Sequence, residues 1–140
     1  METLTINAVI ENLPKVIEFV TGPLTDETCS SRCRMQFELA VEELFVNIAC
    51  YAYHPGTGPV TIERVVEEAP PAVCVTFRDR GVQYNPLARK DPDTTLPIEE
   101  RPIGGLGIFL VKKNVDEVSY EYADGQNVLY LRKKLTKQET

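Results

Sequence analysis

The sequence has a single histidine, His54, and no CxxC pair among its four cysteines. Structural zinc sites use cysteine and histidine at close, repeated spacing, so we do not expect a zinc domain. A catalytic triad could use only His54, which lies in the turn-forming stretch His54-Pro55-Gly56. We therefore expect the cysteines to be small, buried or half-exposed thiols, and we do not expect a histidine-dependent hydrolase.

Positive charge and long hydrophobic runs are scarce as well. Fifteen Lys and Arg residues are outnumbered by 21 Asp and Glu residues, which gives a net charge of -6. Nucleic-acid binding requires clustered basic residues, so no direct nucleic-acid partner is expected. No stretch approaches the ~18 apolar residues of a membrane span, and residues 1–9 lack the basic start and apolar run of a secretory signal. These absences predict a cytoplasmic protein with no membrane segment.

The composition is that of an ordinary globular protein, with 43% hydrophobic and 26% charged residues in a chain of 140. A chain of this length can bury one core, so residues 1–140 are expected to form a single domain. Neither an internal repeat nor an interdomain linker is evident in the sequence.

Hydrophobic patterning and turn residues predict the order strand, helix, helix, two strands, loop, helix, two strands. The expected strands cover residues 3–9, 59–67, 72–78, 118–122 and 127–131, the last two joined by Asp124-Gly125. The expected helices cover residues 13–21, with Asn12 as N-cap, then about 26–53, and then 106–114. The fold class expected from this order is a two-layer α/β sandwich, with a mixed, mostly antiparallel sheet and helices packed on one face.

The long second helix carries the first candidate site. Its predicted core face excludes Glu43 and Asn47, which lie one helical turn apart on one flank. A carboxylate and a carboxamide oxygen in this arrangement could activate a hydroxyl and hold Mg²⁺. The core face itself consists of Phe37, Val41, Leu44, Phe45, Ile48 and Ala52.

Two further motifs follow along the chain. Asp79 ends a predicted strand before Gly81, where a carboxylate can accept a hydrogen bond from an exocyclic amine and a glycine admits a flat ring. Gly104, Gly105 and Gly107 precede the apolar start of the last helix, where free backbone amides attract phosphate. The glycine motif is neither a Walker A loop nor a Rossmann fingerprint.

Together the three segments resemble the N, G1 and G2 boxes of the GHKL ATPase superfamily, whose Bergerat fold binds ATP beneath a mobile lid. The resemblance covers nearly the whole chain and is nearest to the anti-sigma factor serine kinases. It rests on the segments Glu38-Leu-Ala-Val-Glu-Glu-Leu-Phe-Val-Asn47, Arg78-Asp-Arg-Gly-Val-Gln-Tyr-Asn-Pro86 and Gly104-Gly-Leu-Gly-Ile-Phe-Leu-Val111 followed by Asp116-Glu-Val-Ser-Tyr120.

The resemblance implies a role for each motif. Asn47 would coordinate the Mg²⁺ that bridges the ATP phosphates, and Glu43 would be the general base toward a protein hydroxyl. Asp79 would bind the adenine amino group, and Gly81 would let the base approach. The glycines Gly104, Gly105 and Gly107 would serve as hinge and phosphate cradle of an ATP lid over about residues 83–103.

The resemblance also implies partners. The substrate would be a serine or threonine on an anti-anti-sigma protein of the STAS type, and the alternative partner would be a sigma factor. Phosphorylation of the antagonist would free the protein to sequester the sigma factor, and a homodimer is expected.

Two other functions stay open at this point. One is a non-catalytic, ATP-dependent module that sequesters a regulatory protein. The other is a detached histidine-kinase catalytic domain, which would need an external histidine. The chain departs from the family pattern at Tyr51, where a histidine is frequent, and in the second motif, where Asp79-x-Gly81-x-x-Tyr84 replaces the DxGxG form. Its final strand also lacks the usual Gly-Thr pair, so the contacts around adenine are not defined by the resemblance.

Overall fold

The computed structural model describes residues 1–88 and 105–137. Within them the chain forms a sheet with helices on one face, as expected. Short 3-10 turns lie at Ile10–Asn12 and Pro86–Ala88. The elements in chain order are β1 (Glu2–Asn7), α1 (Leu13–Thr21), α2 (Ser31–Tyr51), β2 (Pro59–Glu68), β3 (Pro71–Asp79), α3 (Gly105–Asn114), β4 (Glu117–Ala123) and β5 (Gln126–Lys134).

The five strands have the spatial order β1-β2-β3-β5-β4, and every pair of neighbours among the described strands is antiparallel. The α/β sandwich is therefore confirmed, but the sheet is not mixed. The strand order explains the absence of a parallel pair. The chain passes through α3 between β3 and β4, and these two strands run in the same direction, but β5 lies between them and is antiparallel to both. The crossover creates a parallel orientation without a parallel pair.

Helix α2 is the centre of the core. The six side chains predicted to face inward are all buried, in agreement with the 3.6-residue periodicity. They pack against the inward residues of the two central strands, including Phe77 and Leu131. This packing fixes the rotation of α2, and with it the direction in which its other faces point.

Helix α2 begins later than the sequence pattern indicates. The expected start was near residue 26, but the first helical residue is Ser31. The hydroxyl oxygen of Ser30 accepts a hydrogen bond from the Cys33 amide at 3.0 Å, which makes Ser30 the N-cap. The Ser30 amide is held in turn by the Thr136 carbonyl at 2.7 Å, a long-range contact that local sequence does not reveal.

Helix α1 has the predicted bounds, but Asn12 does not cap it with its side chain. The side-chain amide of Asn12 instead donates a hydrogen bond to the Asn7 carbonyl at 2.8 Å. This bond connects the beginning of α1 to the end of β1. The predicted hairpin between β4 and β5 is confirmed, with positive φ at both Asp124 and Gly125 (55° and 76°).

The four cysteines are free thiols, with Cys50 exposed and the others buried. Cys29 precedes α2, and Cys33 lies in its first turn. Burial, together with the neighbouring Cys33 thiol, raises the pKa of Cys29 to about 12. Cys29 therefore stays a protonated, unreactive thiol at neutral pH.

The helices of the described residues are all too short or too polar to span a bilayer.

Candidate functional site

Glu43 and Asn47 lie one turn apart on α2, both half-exposed, on the flank that the helical wheel predicted. The Asn47 side-chain amide donates a hydrogen bond to the Glu43 carbonyl at 2.9 Å. This bond turns the nitrogen of the amide toward the helix backbone and leaves the oxygen Oδ1 facing outward. A carboxamide oxygen held in this way is a suitable ligand for a hard cation such as Mg²⁺.

The carboxylate of Glu43 lies directly against Gly107 in the first turns of α3. A Cβ atom added to Gly107 would be 2.1 Å from Glu43 Oε2, so a side chain there would occupy the position of the carboxylate. Burial raises the pKa of Glu43 above its ordinary value, and the charge of Glu42 adds to the rise. The structure thus brings together the base predicted from the first motif and the last glycine of the third.

Asp79 is buried at the end of β3, with 3% of its surface exposed. Its Oδ1 accepts hydrogen bonds from the Gly81 amide and from the Asn127 side-chain amide, each at 2.9 Å. These two donors hold the side chain of Asp79 in place and give one oxygen of its buried carboxyl group its hydrogen-bond partners.

Gly81 has a clear structural requirement of its own. A Cβ atom there would lie 2.1 Å from the Ala52 carbonyl oxygen, at the end of α2. The next amide, that of Val82, donates to the same carbonyl at 2.8 Å. Glycine at 81 therefore lets the chain that follows β3 cross the end of α2 in close contact, whereas its role in admitting a nucleotide base stays a prediction.

A small cleft, partly open to solvent, lies between the end of α2, the end of β3 and the start of β5. Its polar lining includes Asn47, Asp79 and Asn127. Its apolar lining includes Ile48, Ala52, Val82, Pro86 and Leu129. Apolar walls with a few fixed polar groups are typical of sites that hold a flat heterocycle.

Part of the predicted site lies outside the described residues. This applies to Gly104 and to residues 89–103 of the expected lid. Gly105 is the first residue of α3. The beginning of the expected lid, residues 83–88, runs past the cleft and includes Tyr84, whose ring lies 5.7 Å from that of Tyr51.

Sequence reasoning missed Asn127 and Tyr120. Asn127 is 4% exposed and hydrogen bonds to Asp79, and the Tyr120 hydroxyl donates to the Asn127 side-chain oxygen. A signal was present, because Asn127 shares the inward face of β5 with Leu129 and Leu131. A polar residue at an inward strand position is uncommon without a partner.

The fold is a two-layer α/β sandwich of the GHKL type. It is defined by the antiparallel sheet, the helical layer on it and the cleft at the end of α2. The chain belongs to the family described as the histidine kinase-like ATPase domain, which matches residues 6–133. The predicted resemblance is confirmed at this level, and the family implies ATP binding.

Several relatives that the chain matches are named as protein kinases. The chain is 28% identical to the serine/threonine-protein kinase BtrW of Bordetella bronchiseptica over 102 residues, which is 73% of this chain and 71% of BtrW. It is 29% identical to the serine-protein kinases RsbW of Bacillus cereus and Bacillus mycoides. Each of those alignments covers 66% of this chain but 59% of the relative, less than two thirds of its length.

Proposed function

We propose that this protein is an ATP- and Mg²⁺-dependent serine/threonine-protein kinase that acts as an anti-sigma factor. Its substrate would be a Ser or Thr of a STAS-type anti-anti-sigma protein, and it would sequester a sigma factor in the alternative complex. The observation that carries the proposal is the position of Glu43: a half-exposed carboxylate with a raised pKa, against Gly107 and one turn from Asn47.

The residues of the cleft fit a bound nucleotide. Asp79 offers a buried carboxylate oxygen to the amino group of adenine, between the apolar walls that would hold the ring. The outward Oδ1 of Asn47 would hold Mg²⁺ at the phosphate end. The metal, when bound, neutralises charge on the phosphates during transfer.

Glu43 is suited to the proton transfer. It would accept the proton of the substrate hydroxyl as the hydroxyl oxygen forms a bond to the γ-phosphorus and the bond to the ADP oxygen breaks. Because burial raises its pKa, Glu43 is a stronger base than an exposed carboxylate. Retention of this group, and the kinase names of the relatives, favour catalysis over a module that only binds.

The partners are inferred from the family resemblance and from the RsbW-like relatives. We also propose a homodimer and a cytoplasmic location on the same basis. Light scattering of the purified protein would measure the oligomeric state.

The test combines binding and transfer on one sample. Calorimetry with and without Mg²⁺ measures ATP binding, and labelled γ-phosphate is then followed onto STAS-domain proteins encoded nearby. Glu43→Ala is the matched control, because it should bind ATP and lose transfer. A STAS substrate with its acceptor serine changed to alanine should stay unlabelled.

Each outcome has a distinct meaning. ATP binding with transfer supports the kinase, and co-elution with a sigma factor in the presence of ATP supports sequestration. ATP binding without transfer to any STAS protein would favour the non-catalytic module. Absence of ATP binding would overturn the proposal as a whole.

A further inference from the structure

Asn127 is the centre of a hydrogen-bond network at the floor of the cleft. Its Nδ2 donates to Asp79 Oδ1 at 2.9 Å and to the Val82 carbonyl at 2.8 Å. Its Oδ1 accepts from the Tyr84 amide at 3.2 Å and from the Tyr120 hydroxyl. One side chain thus connects β3, the segment that follows it, and β4.

The four shorter of its five hydrogen bonds use the full capacity of the Asn127 amide, and the fifth, from Nδ2 to the Gly81 carbonyl at 3.5 Å, shares one of the same N–H donors. A carboxamide has two N–H donors and an oxygen with two lone pairs, and each of them has a partner here. Asn127 therefore has no donor or acceptor left for a ligand without breaking a bond inside the protein. Although it lines the cleft, its chemistry is that of a positioning residue.

The direction of the amide is also fixed. Two donors, the Tyr84 amide and the Tyr120 hydroxyl, converge on Oδ1, so the nitrogen must face Asp79. A reversed amide would set its oxygen against two acceptors, Asp79 Oδ1 and the Val82 carbonyl, and its nitrogen against the Tyr84 amide, which can only donate. Burial raises the pKa of Tyr120, and the charge of Asp79 adds to the rise, so its hydroxyl stays protonated and donates.

The network decides which oxygen of Asp79 can serve a ligand. Within the described residues, the donors to Asp79 are the Gly81 amide and Asn127, and both reach Oδ1. Oδ2 is left as the acceptor at the floor of the cleft. A purine with an amino group at position 6 offers a donor to such an oxygen, whereas a 6-oxo purine offers an acceptor and is repelled.

We propose that Tyr120 and Asn127 form a positioning pair that sets the base selectivity of the cleft, by holding Asp79 with one oxygen free for a 6-amino purine. The inference rests on the proposed function, since it concerns the same nucleotide site. It adds that selectivity depends on a side chain of β5 and a hydroxyl of β4, neither of which needs to touch the base.

The experiment compares three nucleotides on the full chain: ATP, purine riboside triphosphate, which lacks the 6-amino group, and GTP. Calorimetry gives the ratio of their dissociation constants for the parent, Asn127→Ala and Tyr120→Phe. In the parent, ATP should bind about 10- to 100-fold more tightly than the 6-deamino analogue. This ratio corresponds to the free energy of one hydrogen bond to a charged group.

Asn127→Ala should reduce this ratio of dissociation constants to about threefold or less, chiefly because ATP binds more weakly. Tyr120→Phe, which removes a single oxygen atom, should give an intermediate ratio. Tyr122→Phe is the matched control, because Tyr122 lies on the same strand, is 43% exposed, and should leave the ratio unchanged. Thermal unfolding of each variant shows that the fold persists.

The ratio separates positioning from general damage. General loosening of the cleft would weaken the binding of ATP and of the analogue equally. A ratio that is unchanged in both Asn127→Ala and Tyr120→Phe would overturn the inference. Should Asn127→Ala fail to fold, Tyr120→Phe alone decides. A parent that binds no ATP would refute the proposed function instead, whereas a selective parent with unselective variants supports both.

Discussion

Replacement of Gly107 by alanine should separate catalysis from stability. The added methyl would lie 2.1 Å from Glu43 Oε2 and 2.8 Å from Glu43 Cδ. Since Cβ contacts below 3.0 Å are essentially never observed, the carboxylate has to move by about 1 Å, and misplacement by that distance can cost roughly 100-fold in rate. We expect a loss of about this size in phosphoryl transfer.

The same substitution should change stability little. Alanine is favoured over glycine within a helix by about 0.5–1 kcal/mol. A Glu43 side chain pushed from its rotamer costs a similar ~0.5–1.5 kcal/mol. The two contributions oppose each other, so the free energy of unfolding should stay within about 1 kcal/mol of the parent value.

The assay is single-turnover transfer of labelled γ-phosphate at saturating Mg²⁺ and ATP, with urea unfolding in parallel. Gly22→Ala is the control, because the Cβ atom there meets its nearest neighbour, the Glu18 carbonyl oxygen, at an ordinary 3.4 Å. It should leave the transfer rate unchanged.

A double-mutant cycle tests whether the loss runs through Glu43. In a Glu43→Ala background the methyl at 107 meets no carboxylate, so Gly107→Ala should not lower the residual single-turnover rate of that variant any further. Parent-like transfer by Gly107→Ala, or an equal loss in both backgrounds, would refute the reasoning.

Three other predictions concern the same two helices. Asn47→Ala should abolish the gain in ATP affinity that Mg²⁺ provides in calorimetry, because it removes the outward Oδ1. Lys133→Met should lower the free energy of unfolding in urea by about 2 kcal/mol, since the buried ammonium donates to Gln36 Oε1 at 2.8 Å and to the Asn114 carbonyl at 2.7 Å. Glu43→Gln should stabilise the fold at neutral pH, because a raised pKa in the folded state means that ionisation of Glu43 opposes folding. This gain in stability should disappear below the ordinary pKa of a carboxyl group. Urea midpoints equal to those of the parent at every pH would contradict the prediction.

The sequence predicted elements whose pattern is local and periodic. The buried face of α2 followed from its 3.6-residue spacing, and the same spacing placed Glu43 and Asn47 together on its flank. The hairpin at Asp124-Gly125 followed from turn chemistry. In each case the determining residues lie within a few positions of one another.

What the sequence did not predict depends on distant partners. The start of α2 is selected by Ser30, whose amide bonds to Thr136 across the fold. Asn127 and Asp79 are 48 positions apart and meet because β5 pairs with β3 in a particular register. Such pairings follow from strand order, which hydrophobic periodicity alone does not determine.

The two ends of the site are supported by different parts of the fold. Asp79 and Asn127 lie on paired central strands, so the base end is held by the sheet. At the other end Gly107 lies on α3, whose last carbonyl is held by Lys133 of β5. Loss of Lys133 should therefore let α3 shift against Glu43 and lower transfer, while selectivity for adenine, set at the sheet, persists. Equal losses in transfer and in base selectivity for Lys133→Met would mean that the two ends behave as one unit.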